Sequence, residues 1–248
     1  MIALYSGTPG SGKSLHAAEK VRANLKFHCP VIGTFHINEK CLFKNSKYDY
    51  TYVNIYSLTP QFLVSFAKNN KHLLKKGIEG SFLLVIDEAQ RIFNSRTWNQ
   101  KDRNDWITFF AEHRHLGFDI ILISQMDRML DRQIRGLIEY EFVHRKVTQF
   151  GIKGKIFSIF VGNFCYVQKW YPMGQINSTI GSMFFRADKR LYDFYDSFEE
   201  FSSDEDGGIE GGPPSESEKF ITMLSSIESF KSPSMEYIYQ SYIDDYSA

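Results

Sequence analysis

"GTPGSGKS" occupies residues Gly7 to Ser14. The spacing Gly7-x-x-x-x-Gly12-Lys13-Ser14 is that of a complete phosphate-binding loop. Its glycines let the backbone curl so that successive N–H groups face phosphate oxygens. The preceding MIALYSG reads as a short buried strand, and SLHAAEKVRANLK (14–26) reads as a helix with Leu15, Ala18, Val21 and Leu25 near one face. A helix N-terminus adds partial positive charge to such a loop. The candidate nucleotide-binding set is therefore Gly7, Thr8, Pro9, Gly10, Ser11, Gly12, Lys13, Ser14 and Leu15. Lys13 is expected to reach the β- and γ-phosphates, and the Ser14 hydroxyl to ligate Mg²⁺, a hard ion that prefers oxygen.

The other half of such a site is expected at SFLLVIDEAQ (81–90), an almost wholly apolar strand of the kind that is covered on both faces. Asp87 at its carboxyl end is the candidate metal-holding acid. Glu88 follows directly and is the candidate general base for an attacking water. Paired acids at a strand end can also cap the next helix, which is the structural alternative. A further buried strand, FDIILISQ (118–125), ends in Ser124 and Gln125, and Gln125 is the candidate γ-phosphate sensor. Arg114, Arg128, Arg132 and Arg135 are candidates for an arginine acting across a subunit interface, and a surface charge is the alternative for each. Glu112, His113 and His115 do not form a metal site, because i and i+2 positions of a helix point to different faces.

Further strands are expected at 31–35, 51–56 and 140–147, and further helices at 60–76 and 102–117, with Gly117 as cap. This alternation predicts an α/β fold with a mostly parallel sheet flanked by helices. Beyond 147 the texture changes. Residues 155–172 lack a helical period and predict one or two antiparallel strands, and 189–201 is a short aromatic segment. Residues 202–218 have the composition of a disordered linker. The expected organisation is an ATPase domain over 1–201, its β-rich extension at 148–201, and a disordered acidic tail at 202–248.

Of the 248 residues, 43% are hydrophobic and 23% charged, which suits a packed core and excludes wholesale disorder. The net charge of zero hides an asymmetry. The tail holds ten acids against two bases, leaving the body with 27 bases and 19 acids. A basic body is compatible with a polyanionic partner, and equally with a solvated surface. Cys29, Cys41 and Cys165 fit neither a zinc site nor a disulfide framework, which suggests a reducing compartment. Neither a signal peptide nor a membrane-spanning segment is read from the sequence.

MIALYSGTPGSGKS, LLVIDEAQRIF and HRHLGFDIILISQ, with their spacing, resemble the zonular occludens toxin family. That family includes the assembly ATPases of filamentous bacteriophages. LYDFYDSFE (191–199) resembles the tyrosine–aspartate segment that often closes the family's domain, so the likeness spans roughly 1–201. The resemblance implies a RecA-like, additional-strand ATPase that uses ATP and Mg²⁺ to drive virion assembly and export at the cytoplasmic face of the host membrane. It implies roles for Lys13 and Ser14 on nucleotide and metal, for Asp87 and Glu88 in hydrolysis, for Gln125 as sensor and for Arg114 as the trans-acting arginine. The implied partners are further copies of the chain, with a hexameric ring as the implied form, phage coat or membrane assembly proteins, and single-stranded phage DNA. Well-known phage members carry a membrane-spanning helix after the ATPase domain. Its absence from this sequence leads to an expectation of indirect membrane contact. The competing expectations are a motor acting directly on DNA and a non-enzymatic nucleotide switch.

Overall fold

The computed structural model describes residues 1–38, 41, 49–74, 80–94, 100–146, 165–170, 179–185 and 189–195. One eight-stranded sheet organises them. Its strands are β1 (Ile2–Gly7), β2 (Val31–Gly33), β3 (Tyr50–Tyr52), β4 (Phe82–Ile86), β5 (Phe118–Ile123), β6 (Tyr140–Lys146), β7 (Cys165–Trp170) and β8 (Thr179–Phe185). The spatial order is β3-β2-β4-β5-β1-β6-β7-β8. β1 to β6 pair in parallel, and β7 and β8 continue the sheet antiparallel.

Alternation along the central strands divides the core into two layers. Ile2 and Leu4 of β1, Phe82, Leu84 and Ile86 of β4, and Phe118, Ile120 and Leu122 of β5 face one side. There they meet α2 (Pro60–Asn69), α3 (Gln100–Glu112) and α4 (Arg132–Leu137) through Phe62, Phe66, Trp106, Phe109, Phe110 and Ile134. Ala3, Tyr5, Leu83, Val85, Ile121 and Ile123 face the other side. That side is covered by α1 (Lys13–Lys26) and α5 (Lys189–Phe194). A strand buried on both faces has no polar side to offer solvent, which is why β4 and β5 read as nearly continuous apolar runs.

Several elements are shorter than the sequence suggests. The helix expected over 60–76 ends at Asn69, where the Asn70 side chain turns back and donates to the Phe66 carbonyl at 2.9 Å. Its start is set by Thr59, whose hydroxyl accepts from the Phe62 N–H at 3.2 Å. The strand expected over 81–90 stops at Ile86, because Glu88 takes the left-handed conformation (φ 47°) and a single 3₁₀ turn, Ala89–Arg91, follows. α3 ends at Glu112, before Gly117, which adopts φ 80° just ahead of β5. α4 and β8 were not foreseen. Residues 155–164 and the tail at 202–248 lie outside the described residues, while β7 falls within the region where antiparallel strands are expected.

Candidate functional site

Parallel pairing brings the carboxyl ends of β1, β4 and β5 to one edge of the sheet. Leu4 is in register with Leu122, and Leu122 with Ile86. The residues that follow these three positions therefore rise side by side. β5 lies between β1 and β4, so the loop and the acids are about 10 Å apart, two strand spacings.

The loop leaves β1 through Gly7 (φ 140°) and passes Gly10 (φ 67°) to Gly12 (φ 92°), which caps α1. Positive φ is cheap only for glycine. At Gly7 the constraint is doubled, because a Cβ there would overlap the backbone carbonyl of His144 in β6. The Ser11 N–H donates to the Thr8 carbonyl at 3.1 Å and tightens the turn. Thr8, Pro9 and Gly10 are exposed, Gly12, Ser14 and Leu15 are half-buried, and Ser11 and Lys13 are buried.

Lys13 folds over the loop and donates through Nζ to the carbonyls of Gly7 (2.9 Å) and Thr8 (3.2 Å). Burial lowers its pKa, and the charges of Asp87 and Glu88 oppose that shift. The two acids at the end of β4 thus act electrostatically on the lysine of the loop. The buried Ser11 hydroxyl has no hydrogen-bond partner among the described residues. Unpaired buried polar atoms are uncommon in a finished core, whereas a ligand-binding concavity leaves such atoms for its guest. With three left-handed glycines and a buried ammonium, the loop fits a phosphate chain.

Asp87 is buried, and its backbone N–H donates to Thr34 Oγ1 at 2.8 Å. Its Oδ1 accepts from the Glu88 N–H at 2.8 Å, and the Tyr195 hydroxyl reaches its Oδ2 at 3.4 Å. Glu88 is half-buried and accepts from the side-chain amide of Gln90. Glu88, at the N-terminus of the following 3₁₀ turn, does not cap it with its side chain. The Ser14 hydroxyl and Asp87 carboxylate are hard oxygen donors of the type that suits Mg²⁺.

Gln125 stands at the same edge. Its carbonyl accepts from the Gly7 N–H at 3.2 Å, which ties the end of β5 to the first residue of the loop. Arg114 lies elsewhere, at the start of the strands. It donates to Glu139 Oε2 at 2.8 Å, and Glu139 Oε1 in turn accepts from the Ile2 N–H at 3.1 Å. β1 separates it from the loop by about 17 Å at the usual rise per residue. The structure therefore brings together the loop, Asp87, Glu88 and Gln125, and leaves Arg114 at the opposite end of β1 from the loop of its own chain. Of the other candidate arginines, Arg135 pairs with Asp127 at 3.4 Å, while Arg128 and Arg132 are exposed in the segment after β5. His113 is buried, with Nδ1 against the Phe110 carbonyl at 2.6 Å, and no cluster of three or more His, Cys, Asp or Glu residues placed to hold a metal ion occurs among the described residues.

Sequence reading missed four supports of the site. Thr34 holds Asp87 from β2's end, and Tyr195 reaches it from beyond β8. Lys146, at the end of β6, places Nζ 2.8 Å from where a Cβ at Gly10 would lie. Beneath the loop, His16 Nδ1 and His144 Nε2 approach to 2.8 Å in the core. His144 Nδ1 faces the carbonyls of Phe142 (2.8 Å) and Ser6 (3.3 Å), so that nitrogen carries the proton and Nε2 accepts. His16 must then donate from Nδ1. Burial lowers both pKa values, to about 3 for His16 and about 4 for His144. None of these supports has a local sequence signature, since each depends on pairing between distant strands.

Comparison with known proteins places this geometry in context. A family model described as zonular occludens toxin matches residues 1–198. The Gene 1 protein of Enterobacteria phage M13 is 32% identical over 136 residues, covering 51% of this chain and 39% of that protein. This chain spans less than half the length of that relative. The N-terminal domain of zonular occludens toxin from Neisseria meningitidis superposes with a TM-score of 0.51 at 21% identity, over 79% of this chain and 98% of the other. A second solved structure, described as an ATPase domain, gives the same TM-score of 0.51 at 11% identity, over 78% of this chain and 84% of the other. These likenesses establish the fold as that of the P-loop NTPases.

Proposed function

The chain belongs to the zonular occludens toxin family, and we propose that it is an ATP-hydrolysing motor for the assembly and export of filamentous phage particles. The observation that carries the hydrolytic reading is the register of β1, β5 and β4, which brings the phosphate loop and the Asp87–Glu88 pair to one edge of the sheet. Kinship with a phage Gene 1 protein supports the assembly role.

In this reading, residues Gly7 to Leu15 hold the triphosphate of ATP through backbone N–H groups. Lys13 exchanges the Gly7 and Thr8 carbonyls for phosphate oxygens, a short movement of a side chain already lying over the loop. Ser14 and Asp87 would hold Mg²⁺, which would neutralise negative charge on the triphosphate. Glu88 takes a proton from the attacking water as its oxygen bonds to the γ-phosphorus. The bond from that phosphorus to the bridging oxygen breaks, leaving ADP and phosphate. Gln125, fixed to the loop by its backbone, orients the water. Arg114 stabilises the transition state in a neighbouring copy of a ring.

Residues 1–201 form the ATPase unit of this proposal, with 202–248 as an acidic tail. No helix among the described residues is long and apolar enough to cross a membrane. The motor works at the cytoplasmic face of the host membrane, with contact supplied by coat or assembly proteins. The body's excess of 27 bases over 19 acids favours a second reading, in which the motor also grips DNA directly. Such binding weakens steeply as salt rises.

Purified wild-type, Lys13→Ala and Glu88→Gln proteins test the hydrolytic site. Lys13→Ala should lose nucleotide binding. Glu88→Gln should bind ATP as the wild type does and lose turnover by at least about a hundredfold, the usual scale of general-base removal. Turnover that survives in Glu88→Gln refutes the base assignment. Deleting the gene should stop particle release while phage DNA replication continues, and normal release would refute the assembly role.

A further inference from the structure

The segment that ends the described chain returns to the nucleotide site. After β8, α5 packs Leu191 and Phe194 into the core beside Ala17, Ala18, Val21 and Leu25 of α1. The chain is then clipped to the residues that follow β2. The Asn38 N–H donates to the Phe194 carbonyl at 2.9 Å, and Ile37 and Tyr195 form an isolated antiparallel bridge. The Cys41 thiol faces the Asp193 carbonyl at 3.6 Å. The Tyr195 ring meets Phe35 edge-on, with centroids 5.3 Å apart. These attachments aim the Tyr195 hydroxyl at Asp87 Oδ2, 3.4 Å away.

We propose that Tyr195 is a positioning residue for the metal-holding acid, so that the segment Lys189–Tyr195 completes the nucleotide site from outside the central strands. The inference rests on the reading of Asp87 as the acid that holds Mg²⁺. Asp87 has its backbone fixed from β2 by Thr34 and its Oδ1 engaged by the Glu88 N–H. The tyrosine hydroxyl faces the other oxygen, Oδ2, and constrains the rotation of the carboxylate about its last bond. At 3.4 Å this is a long hydrogen bond. Partners that orient a ligating carboxylate commonly change metal affinity by about 10- to 100-fold when removed.

Tyr195→Phe deletes the hydroxyl and keeps the ring that packs on Phe35. The readout is binding of a fluorescent ATP analogue, titrated with Mg²⁺, so that turnover is not required. The expected result is a Mg²⁺ concentration for half-maximal binding raised about tenfold, with binding restored at saturating Mg²⁺ and the thermal midpoint kept. An unchanged Mg²⁺ requirement in the folded variant overturns the proposal. A second measurement covers failure to fold: with 3-fluorotyrosine at 195 in the full chain, the fluorine resonance should shift when Mg²⁺ joins bound nucleotide. A resonance that stays fixed while nucleotide and Mg²⁺ bind also overturns it. Asp87→Ala separates the two claims. If that variant keeps the wild-type Mg²⁺ dependence, the metal-holding role of Asp87 fails. If it loses the dependence while Tyr195→Phe keeps it, only the positioning role fails.

Discussion

Lowering the pH from 7.5 to 5.5 should cost the protein about 3 kcal/mol through His16 and His144 alone. His16 lies between the rings of Tyr5 (4.7 Å) and Phe185 (5.0 Å), both stacked on it, and the two imidazoles are 2% and 1% exposed. Their pKa values are lowered to about 3 and about 4, first by burial. An unfolded histidine titrates near 6.5. As pH falls through 6.5 the unfolded chain takes up two protons that the folded chain refuses. Stability fully present above that pH therefore drains away until the folded sites protonate, His144 near 4 and His16 near 3. Each group contributes about 1.4 kcal/mol per pH unit within this window, so the pair loses roughly 3 kcal/mol by pH 5.5. That is a large share of a typical total of about 5–15 kcal/mol. The geometry adds a reason for refusal: protonating His144 Nε2 would set two N–H groups against each other at 2.8 Å. The assay is urea unfolding followed by tryptophan fluorescence between pH 7.5 and 5, in wild type and His16→Gln. The variant should be weaker at pH 7.5, yet its stability should fall less steeply, by about 1.4 kcal/mol per unit. Parallel pH profiles for the two proteins would refute the reasoning, since the slope counts protons and not contacts.

Two further outcomes follow from the loop and the distant arginine. Gly7→Ala should abolish nucleotide binding and destabilise the fold by at least about 1–3 kcal/mol, the cost of one strained φ, because the added carbon also meets the His144 carbonyl; a stable variant that binds ATP would refute the close approach. Arg114→Ala removes an ion pair whose side chains are 49% and 27% exposed. Its thermal stability should therefore change by less than about 1 kcal/mol. Its hydrolysis should be restored when mixed with an excess of Lys13→Ala subunits carrying an intact Arg114. Failure of such mixing to rescue turnover would remove Arg114 as the arginine supplied in trans.

The half of the site that is local in sequence was legible from it. The loop's glycines, Lys13 and the Asp87–Glu88 pair announce themselves because strand, turn and helix succeed one another within a few residues. The parallel sheet was legible for a related reason, since β4 and β5 have no polar face. Boundaries were less so. Nothing in VIDEAQ separates a strand running to Gln90 from one that breaks at Glu88, because the break is a backbone choice made where the strand leaves its neighbours. Tyr195 and Thr34 were not legible at all as parts of the site. They reach Asp87 over 108 and 53 residues of separation, and a tyrosine among many aromatics carries no mark of its partner. β8 was missed because TIGSMFF begins with small and polar residues and shows no clean alternation. Its strand character comes from pairing with β7.

β1 is made first and paired late. Its neighbours are β5 and β6, so the loop stays a bare ribbon until residues through Lys146 have left the ribosome. At about 5–20 residues per second, the stretch from Gly7 to Gln125 alone takes on the order of 10 s to synthesise. Throughout that interval the nascent chain carries a complete phosphate-loop motif with nothing to hold it in shape. A stalled product ending before β5 would contain the motif and have no grip on ATP, which makes nucleotide binding a report that translation has passed β5.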